Sequence, residues 1–260
     1  MIADKIDLAL IETIARKAGA AIMEIYKTEF TVEMKENKSP LTEADKVSNQ
    51  IILDELKKQY PDIPFISEET KAIDYSERKN WNHCWLIDPI DGTKEFIKKN
   101  GEFTVNIALI ENGAPTLGVV YAPALNKMWS AKTNEGSFKE NENGERIQLT
   151  KKANHLSLNK IRVIGSRSHM SAETETFIAG LKTAGKEIDF VSAGSSIKFC
   201  LLAEGSADVY PRFAPTMEWD TAAGHAVLAI AGGHVYETAT ENQLLYNKQN
   251  LLNPFFLACW

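Results

Sequence analysis

The chain has 260 residues, 44% hydrophobic and 25% charged, and a formal net charge of −6. That size and balance suit a globular fold with a substantial core, built as one large domain or two small ones. The negative charge argues against polymeric nucleic acid as a partner, since duplex binding rests on pooled positive charge; a small anion held by local cations or a metal remains compatible.

The N-terminus, M-I-A-D-K-I-D, lacks the uninterrupted apolar core of a signal peptide. Residues 6 to 26 follow with Ile14, Ala18, Ile22 and Ile25 at helical spacing. Residues 31 to 34 suit a short strand, and the polar stretch 35 to 40, ending in Pro, suits a loop. Thr42-Glu43-Ala44-Asp45 has the form of a capping box, opening a helix with Val47, Ile51 and Leu56 inward. Phe65-Ile66 and Trp85-Leu86-Ile87 are short apolar runs that end abruptly in carboxylates. Strands are expected over 103–110 and 117–121, joined by an Asn112-Gly113 turn, and over 128–131 and 136–139.

From about residue 160 the rhythm becomes α/β-like: strand 161–165, helix 172–184, helix 196–204, strand 207–212, helix 221–231 stopped by Gly232-Gly233, and strand 234–237. A boundary between two subdomains is placed near 155, in the polar stretch after Asn141. No run of 18 apolar residues exists, so no transmembrane helix is expected. Three cysteines without a C-x-x-C argue against a disulfide framework or a thiolate zinc site and suit a reducing compartment. A cytoplasmic location is expected, with peripheral association at the inner face of the cell membrane left open.

The most informative stretch is Trp85-Leu86-Ile87-Asp88-Pro89-Ile90-Asp91-Gly92-Thr93. An apolar strand delivers Asp88, and Pro89, which cannot donate to a ladder, is expected to end it. Asp88 and Asp91, three residues apart around a sharp turn, can converge on a hard cation with the intervening carbonyl as a further oxygen ligand. The N–H groups of Gly92 and Thr93, at a helix start, would face the same point and suit a phosphate. Ser67-Glu68-Glu69 and Trp219-Asp220-Thr221 repeat the theme of an acid at an element's end. Each acid alone has an ordinary reading: Asp91 and Asp220 as helix N-caps worth ~1 kcal/mol, Glu68-Glu69 as a solvated pair, Asp45 as the third residue of a capping box. Convergence of such acids calls for cations, because carboxylates ~4 Å apart repel by about 1–4 kcal/mol per pair. All-oxygen donors select Mg²⁺, Mn²⁺ or Ca²⁺ over zinc.

These strings resemble the inositol monophosphatase superfamily. D-P-I-D-G-T with S-E-E before it and W-D-T-A-A-G near the C-terminus carry that likeness. Residues 88–110, G-S-S-I-K-F-C at 194–200, A-E-G-S-A-D-V-Y-P-R-F at 203–213 and S-R-S-H at 166–169 are similar to the CysQ-type 3'(2'),5'-bisphosphate nucleotidases. The resemblance implies an α+β / α/β fold, a layered α-β-α-β-α sandwich with its site between two subdomains. It implies metal ligands Glu68, Asp88, the Ile90 carbonyl, Asp91 and Asp220, and a water activated by Thr93 with help from Asp45 and Glu68. Two to three Mg²⁺ ions are implied, Mn²⁺ substituting and Ca²⁺ and Li⁺ inhibiting. The water would attack phosphorus in line, without a phosphoenzyme. The implied substrates are adenosine 3',5'-bisphosphate and its sulfated relative, cleaved at the 3'-phosphate.

Substrate contacts are expected from Gly92, Thr93 and Asp220 and from the second half of the chain. There Gly194-Ser195-Ser196 opens a helix whose N–H groups can take a second phosphate. Lys198 and Arg212 add positive charge, and His169 could touch phosphate or base. Outside that resemblance, Ser195-Ser196 reads as a helix cap and Lys198 and His169 as surface residues. His225, in an Ala-rich helix, reads as packed or exposed with no role, and Glu218 is a weak candidate to face substrate. Three competitors stand beside the nucleotidase: an inositol- or sugar-phosphate phosphatase on the same scaffold, a haloacid-dehalogenase-type phosphatase, and a metal-dependent nucleotide sensor without catalysis. The second requires D-x-D-G-T, whereas this chain has D-x-x-D-G-T. The third has no use for both Asp45 and Thr93.

Overall fold

The computed structural model describes residues 1–34, 40–71, 73–141, 143–166 and 171–260. Residues 35–39 of the loop expected over 35–40, and the candidate His169 with its neighbours Arg167 and Ser168, lie outside the described residues; Pro40, expected to end that loop, instead begins a short strand.

In chain order the elements are α1 (Leu8–Tyr26), β1 (Val32–Met34), β2 (Pro40–Thr42), α2 (Glu43–Gln59), β3 (Phe65–Ser67), α3 (Tyr75–Arg78), β4 (His83–Asp91), α4 (Thr93–Ile97), β5 (Thr104–Glu111), β6 (Ala114–Ala122), β7 (Lys127–Lys132), β8 (Gly136–Glu140) and β9 (Arg146–Leu149). The second half continues with β10 (Lys160–Gly165), α5 (Ala172–Thr183), β11 (Glu187–Ser192), α6 (Ile197–Glu204), β12 (Val209–Arg212), α7 (Glu218–Ile230), β13 (His234–Glu237) and β14 (Phe256–Cys259).

Among the described residues, strands β3 to β9 form one sheet in sequence order, antiparallel except for the parallel β3–β4 pair. A second sheet has the order β11-β10-β12-β14-β13. Alternation along β4 and β5 explains the layering. Trp85, Ile87, Val105, Ile107 and Leu109 face α1 and α2, whereas Cys84, Leu86, Ala108 and Ile110 face the opposite way, in one core with α6, α7 and inner residues of the second sheet. Helix α5 covers the far side of that sheet through Leu181, Phe177 and Ile178. The layers run α1/α2, first sheet, α6/α7, second sheet, α5: the α-β-α-β-α sandwich expected from the resemblance.

Helix α7 lies deep between the sheets because its contacts are small. A methyl carbon added at Gly118 on β6 would fall 2.4 Å from the Ala223 carbonyl oxygen and 2.6 Å from the Ala226 methyl, an overlap costing about 1–3 kcal/mol or more. No described helix is long and apolar enough to cross a membrane.

Several expectations need correction. The inward face of α2 is Ala44, Asp45, Ser48, Asn49, Ile52, Leu53 and Leu56; Val47 and Ile51 are only half-buried. Two polar residues on that face reach the site, which an apolar-periodicity reading misplaces. Strand β4 does not stop at Pro89. It continues to Asp91, and its register against β5 shifts between Asp88 and Asp91, so the proline sits in the bulge where no ladder donor is needed. Helix α7 begins a turn earlier than expected, at Glu218. Strands β2, β9, β11 and β14 were not anticipated: β2 is a three-residue strand paired to β1 where the end of a loop was expected, β9 (R-I-Q-L) and β11 (E-I-D-F-V-S) are short, poorly buried edge strands despite their alternation, and β14 is a four-residue strand held by pairing to β12 and β13.

Candidate active site

Two parallel strands deliver two carboxylates to one end of the first sheet. Phe65, Ile66 and Ser67 of β3 register with Trp85, Leu86 and Ile87 of β4, and the Glu68 N–H still donates to the Ile87 carbonyl at 3.1 Å. Glu68 and Asp88 are therefore neighbours. Asp88 shares the sheet face of Cys84 and Leu86 and is 1% exposed, its Oδ1 accepting the Ile90 N–H at 3.0 Å. The bulge then carries Asp91 past it. Ser48 of α2 donates to the Pro89 carbonyl at 2.9 Å and holds the bulge from below. Gly92 closes the turn at φ +93°, a region that strains any residue with a side chain.

Helix α7 brings the third acid. Asp220 is the third residue of that helix, and its Oδ2 accepts the Met217 N–H at 2.8 Å. Neither Asp91 nor Asp220 is the helix N-cap of its ordinary reading: Met217 caps α7, with Asp220 as the third residue of the capping box, and Gly92 caps α4, with Asp91 ending β4. Asp220 is also a member of the cluster. Among the described residues, Glu68, Asp88 and Asp220 each offer one carboxylate oxygen within 4.8 Å of the other two. Burial, then the charges of Glu68, Asp91, Asp220 and Asp45, pushes the Asp88 carboxyl well above the carboxylate range. Asp220 is raised well above it by burial and by Asp91, and Asp91 is raised chiefly by burial. Like charges crowded in a poorly hydrated site favour either protonation or a cation. The oxygen-only donor set fits a hard divalent ion.

Asp45 and Thr93 meet at the edge of this cluster. Asp45 is 1% exposed and accepts the N–H of Thr42 at 2.8 Å and its hydroxyl at 2.6 Å on one oxygen. Its other oxygen lies 3.4 Å from Thr93 Oγ1, which is equally 3.4 Å from the Ile90 carbonyl. The capping box at the start of α2 and the start of α4 therefore converge. Glu68, Asp88, Ile90, Asp91, Gly92 and Thr93, together with Asp220, line one cavity of about 490 Å³.

A second, smaller cavity adjoins the first, lined by Asp91, Gly194, Ser195, Ser196, Lys198 and Arg212 among others. Arg212, at the end of β12, lines both. Its Nη2 donates to the Pro215 carbonyl at 3.1 Å, and its Nε is buried without a partner among the described residues. Lys198 is 6% exposed rather than a surface residue. Its Nζ donates to the Ser195 carbonyl at 2.7 Å, and burial pushes its ammonium down to about 8 against the pull of Asp91. A carboxylate cavity continuous with a buried cationic one can hold a ligand carrying two anionic groups.

A family model described as "Inositol monophosphatase family" matches residues 4–254. The chain belongs to the inositol monophosphatase family. It is similar to the 3'(2'),5'-bisphosphate nucleotidase CysQ of Escherichia coli, 46% identical over 245 residues, covering 94% of this chain and 95% of that protein. It is 43% identical to the protein of the same name from Buchnera aphidicola over 250 residues, covering 94% and 90%. The crystal structure of CysQ from Bacteroides thetaiotaomicron, a bacterial member of the family, superposes with a TM-score of 0.84 at 43% identity, covering 96% of each chain.

Within this family member, two candidates stand differently from their sequence reading. Ser196 is the residue before α6, but its hydroxyl is turned toward Asp91 Oδ2 and the Asp220 carbonyl, each 2.7 Å away. Glu218 is fully buried and turned away from both cavities, accepting the N–H groups of Asn247 and Lys248 and the Lys248 ammonium at 2.6–3.0 Å. It fastens the C-terminal segment to α7. Sequence reasoning missed Asn106, whose amide lies 2.8 Å from Ser196 Oγ, and Glu102, whose carboxylate accepts the Gly194 N–H at 2.9 Å. A signal for the first existed: Thr104 and Asn106 are alternate polar residues at the start of a strand that is apolar from Ile107 to Ile110.

Proposed function

We propose that this chain is a Mg²⁺-dependent 3'(2'),5'-bisphosphate nucleotidase that hydrolyses the 3'-phosphate of adenosine 3',5'-bisphosphate, and of its sulfated relative, to a nucleoside 5'-product and phosphate. The observation that carries this reading is the junction of two unlike cavities at Asp91 and Arg212. One holds the convergent carboxylates of Glu68, Asp88 and Asp220; the other holds the buried cation of Lys198. A monophosphate uses only the first.

Glu68, Asp88, the Ile90 carbonyl, Asp91 and Asp220 would hold two to three magnesium ions. Magnesium when bound lowers the pKa of water and neutralises charge on phosphoryl oxygens. The chain's own groups do the rest. With its hydrogen directed at Asp45 Oδ1, the Thr93 hydroxyl keeps lone pairs free to accept a hydrogen bond from the attacking water and align it. Glu68, which lines the same cavity, would be a second acceptor for that water. The N–H groups of Gly92 and Thr93, which line the same cavity, would take the phosphoryl group being transferred. Ser195, Lys198 and Arg212 hold the second phosphate, Arg212 by its planar fork and Lys198 as a point charge. The three cysteines are free and buried, which supports a reducing, cytoplasmic setting.

The test is phosphate release from adenosine 3',5'-bisphosphate, adenosine 3'-monophosphate and inositol 1-phosphate, with Mg²⁺ and Li⁺ varied. The bisphosphate should show the highest kcat/KM, EDTA should abolish release, and Li⁺ should inhibit. Faster turnover of inositol 1-phosphate would overturn the substrate assignment; binding without release would make the protein a sensor.

A further inference from the structure

Asn106 sits in β5, all of whose residues are buried, directly across the ladder from Asp88. Cross-strand partners share a sheet face, so its side chain stands beside the Asp88 carboxylate and not toward α1 and α2. A carboxamide that is 1% exposed on an apolar strand is costly unless it bonds. Its Nδ2 lies 2.8 Å from Ser196 Oγ and 3.4 Å from Asp91 Oδ2, while its Oδ1 has no partner among the described residues. Ser196 Oγ in turn lies 2.7 Å from Asp91 Oδ2 and 2.7 Å from the Asp220 carbonyl.

A hydroxyl has one hydrogen and two lone pairs. Asn106 fills a lone pair of Ser196, which leaves the single Ser196 hydrogen for Asp91 or for the Asp220 carbonyl. Groups from β4, β5 and α7 therefore meet around one oxygen atom, that of the residue just before α6. With those neighbours the hydroxyl has no hydrogen left for a phosphate. What it can do is restrain the rotation of the Asp91 carboxylate.

We propose that Asn106 and Ser196 are positioning residues: together they fix the carboxylate of Asp91 in the orientation in which it binds a divalent cation, and Ser196 is not a substrate contact. The inference rests on the metal role proposed for Asp91. Partners that orient a ligating group typically alter metal affinity by about 10–100-fold. A residue that merely fills space would not move that affinity, and a substrate contact would move KM instead.

The experiment is Mn²⁺ binding to the full-length chain by electron paramagnetic resonance, for wild type, Ser196→Ala, Asn106→Leu and Asp91→Asn. KM for adenosine 3',5'-bisphosphate is measured in parallel at saturating Mg²⁺. We expect the Mn²⁺ dissociation constant to rise about tenfold in Ser196→Ala and Asn106→Leu, with KM changing less than about twofold. An unchanged dissociation constant in Ser196→Ala, or a rise in KM without one, overturns the inference. Should Asn106→Leu fail to fold, Ser196→Ala decides alone, since it removes one atom. Wild type that binds no Mn²⁺, or Asp91→Asn that binds it normally, removes the underlying metal reading instead.

Discussion

The carboxylate of Glu102 accepts the N–H of Gly194 at 2.9 Å. This contact joins the entry to β5 with the loop before α6, and the two residues approach closely. A methyl carbon added at Gly194 would lie 2.9 Å from the Glu102 carbonyl oxygen and 3.1 Å from its carboxylate. The N–H that sequence reasoning offered to a phosphate is therefore committed to holding the loop. Glu102→Ala should lower kcat/KM for adenosine 3',5'-bisphosphate by about tenfold, in line with losing one charge-assisted hydrogen bond. It should lower that for adenosine 3'-monophosphate less. Glu102→Gln, which keeps an acceptor, should stay within about threefold of wild type. Steady-state kinetics on both substrates checks this; equal losses would mean that the loop serves folding alone.

Asp91→Asn should cost several orders of magnitude in phosphate release while the fold survives. Burial and the surrounding carboxylates already disfavour the charge at this cluster. Without metal, removing one negative charge should therefore raise the melting temperature in EDTA by a few degrees, since ~1 kcal/mol shifts a chain of this size by about 2–4 °C. Calorimetry with EDTA and an activity assay with Mg²⁺ give the two numbers. A lower melting temperature in EDTA would contradict the picture of a repulsive cluster.

Lys198 and Arg212 should discriminate between phosphate counts. Arg212→Ala should weaken the bisphosphate far more than the monophosphate. Lys198 adds a pH signature, because its ammonium is pushed down to about 8. The charge is present below that pH and lost above it. In kcat/KM profiles the bisphosphate should show a decline above about pH 8 that Lys198→Met abolishes and that adenosine 3'-monophosphate lacks. The same decline for both substrates would assign it to another group.

His225 should shape the acid stability of the protein. It is fully buried, its Nδ1 2.9 Å from the Tyr246 hydroxyl and its Nε2 without a partner among the described residues. Burial depresses its pKa to about 3 from 6.5. Between those values the unfolded chain binds a proton that the folded chain refuses, so stability falls as pH falls through that window. The slope from this residue is one proton, ~1.4 kcal/mol per pH unit. Urea unfolding between pH 4.5 and 6.5 should show His225→Gln shallower than wild type by about one proton; parallel slopes would mean that the histidine charges in the folded state.

Much of this architecture was legible in the sequence because the local rules agree with one another. Apolar periodicity located α1, an apolar run located β4, the Asn112-Gly113 turn located the β5–β6 hairpin, Gly232-Gly233 marked the end of α7, and Thr42-Glu43-Ala44-Asp45 announced the start of α2. The acid-bearing turn from Asp88 to Thr93 was recognisable from composition, because an apolar strand ending in two acids, a proline and a glycine has few uses; that β4 passes through it as a bulge to Asp91 was not. Edge strands β9 and β11 were not recognised although R-I-Q-L and E-I-D-F alternate, because each is short and poorly buried and takes its place only by pairing with a neighbour.

The sequence by itself determined the kinds of groups available: oxygen donors without thiolates, and Lys198 and Arg212 without a large basic surface. Tertiary structure decided which of them meet. Glu68 and Asp220 lie on different elements and are brought within reach of Asp88 by a parallel strand pair on one side and a helix seated over Gly118 on the other. It also decided the protonation of Lys198, the engagement of Gly194 by Glu102 and the turning of Ser196 toward Asp91. Spacing along the chain carries no information on these, because burial and through-space charge depend on what the fold places around a group.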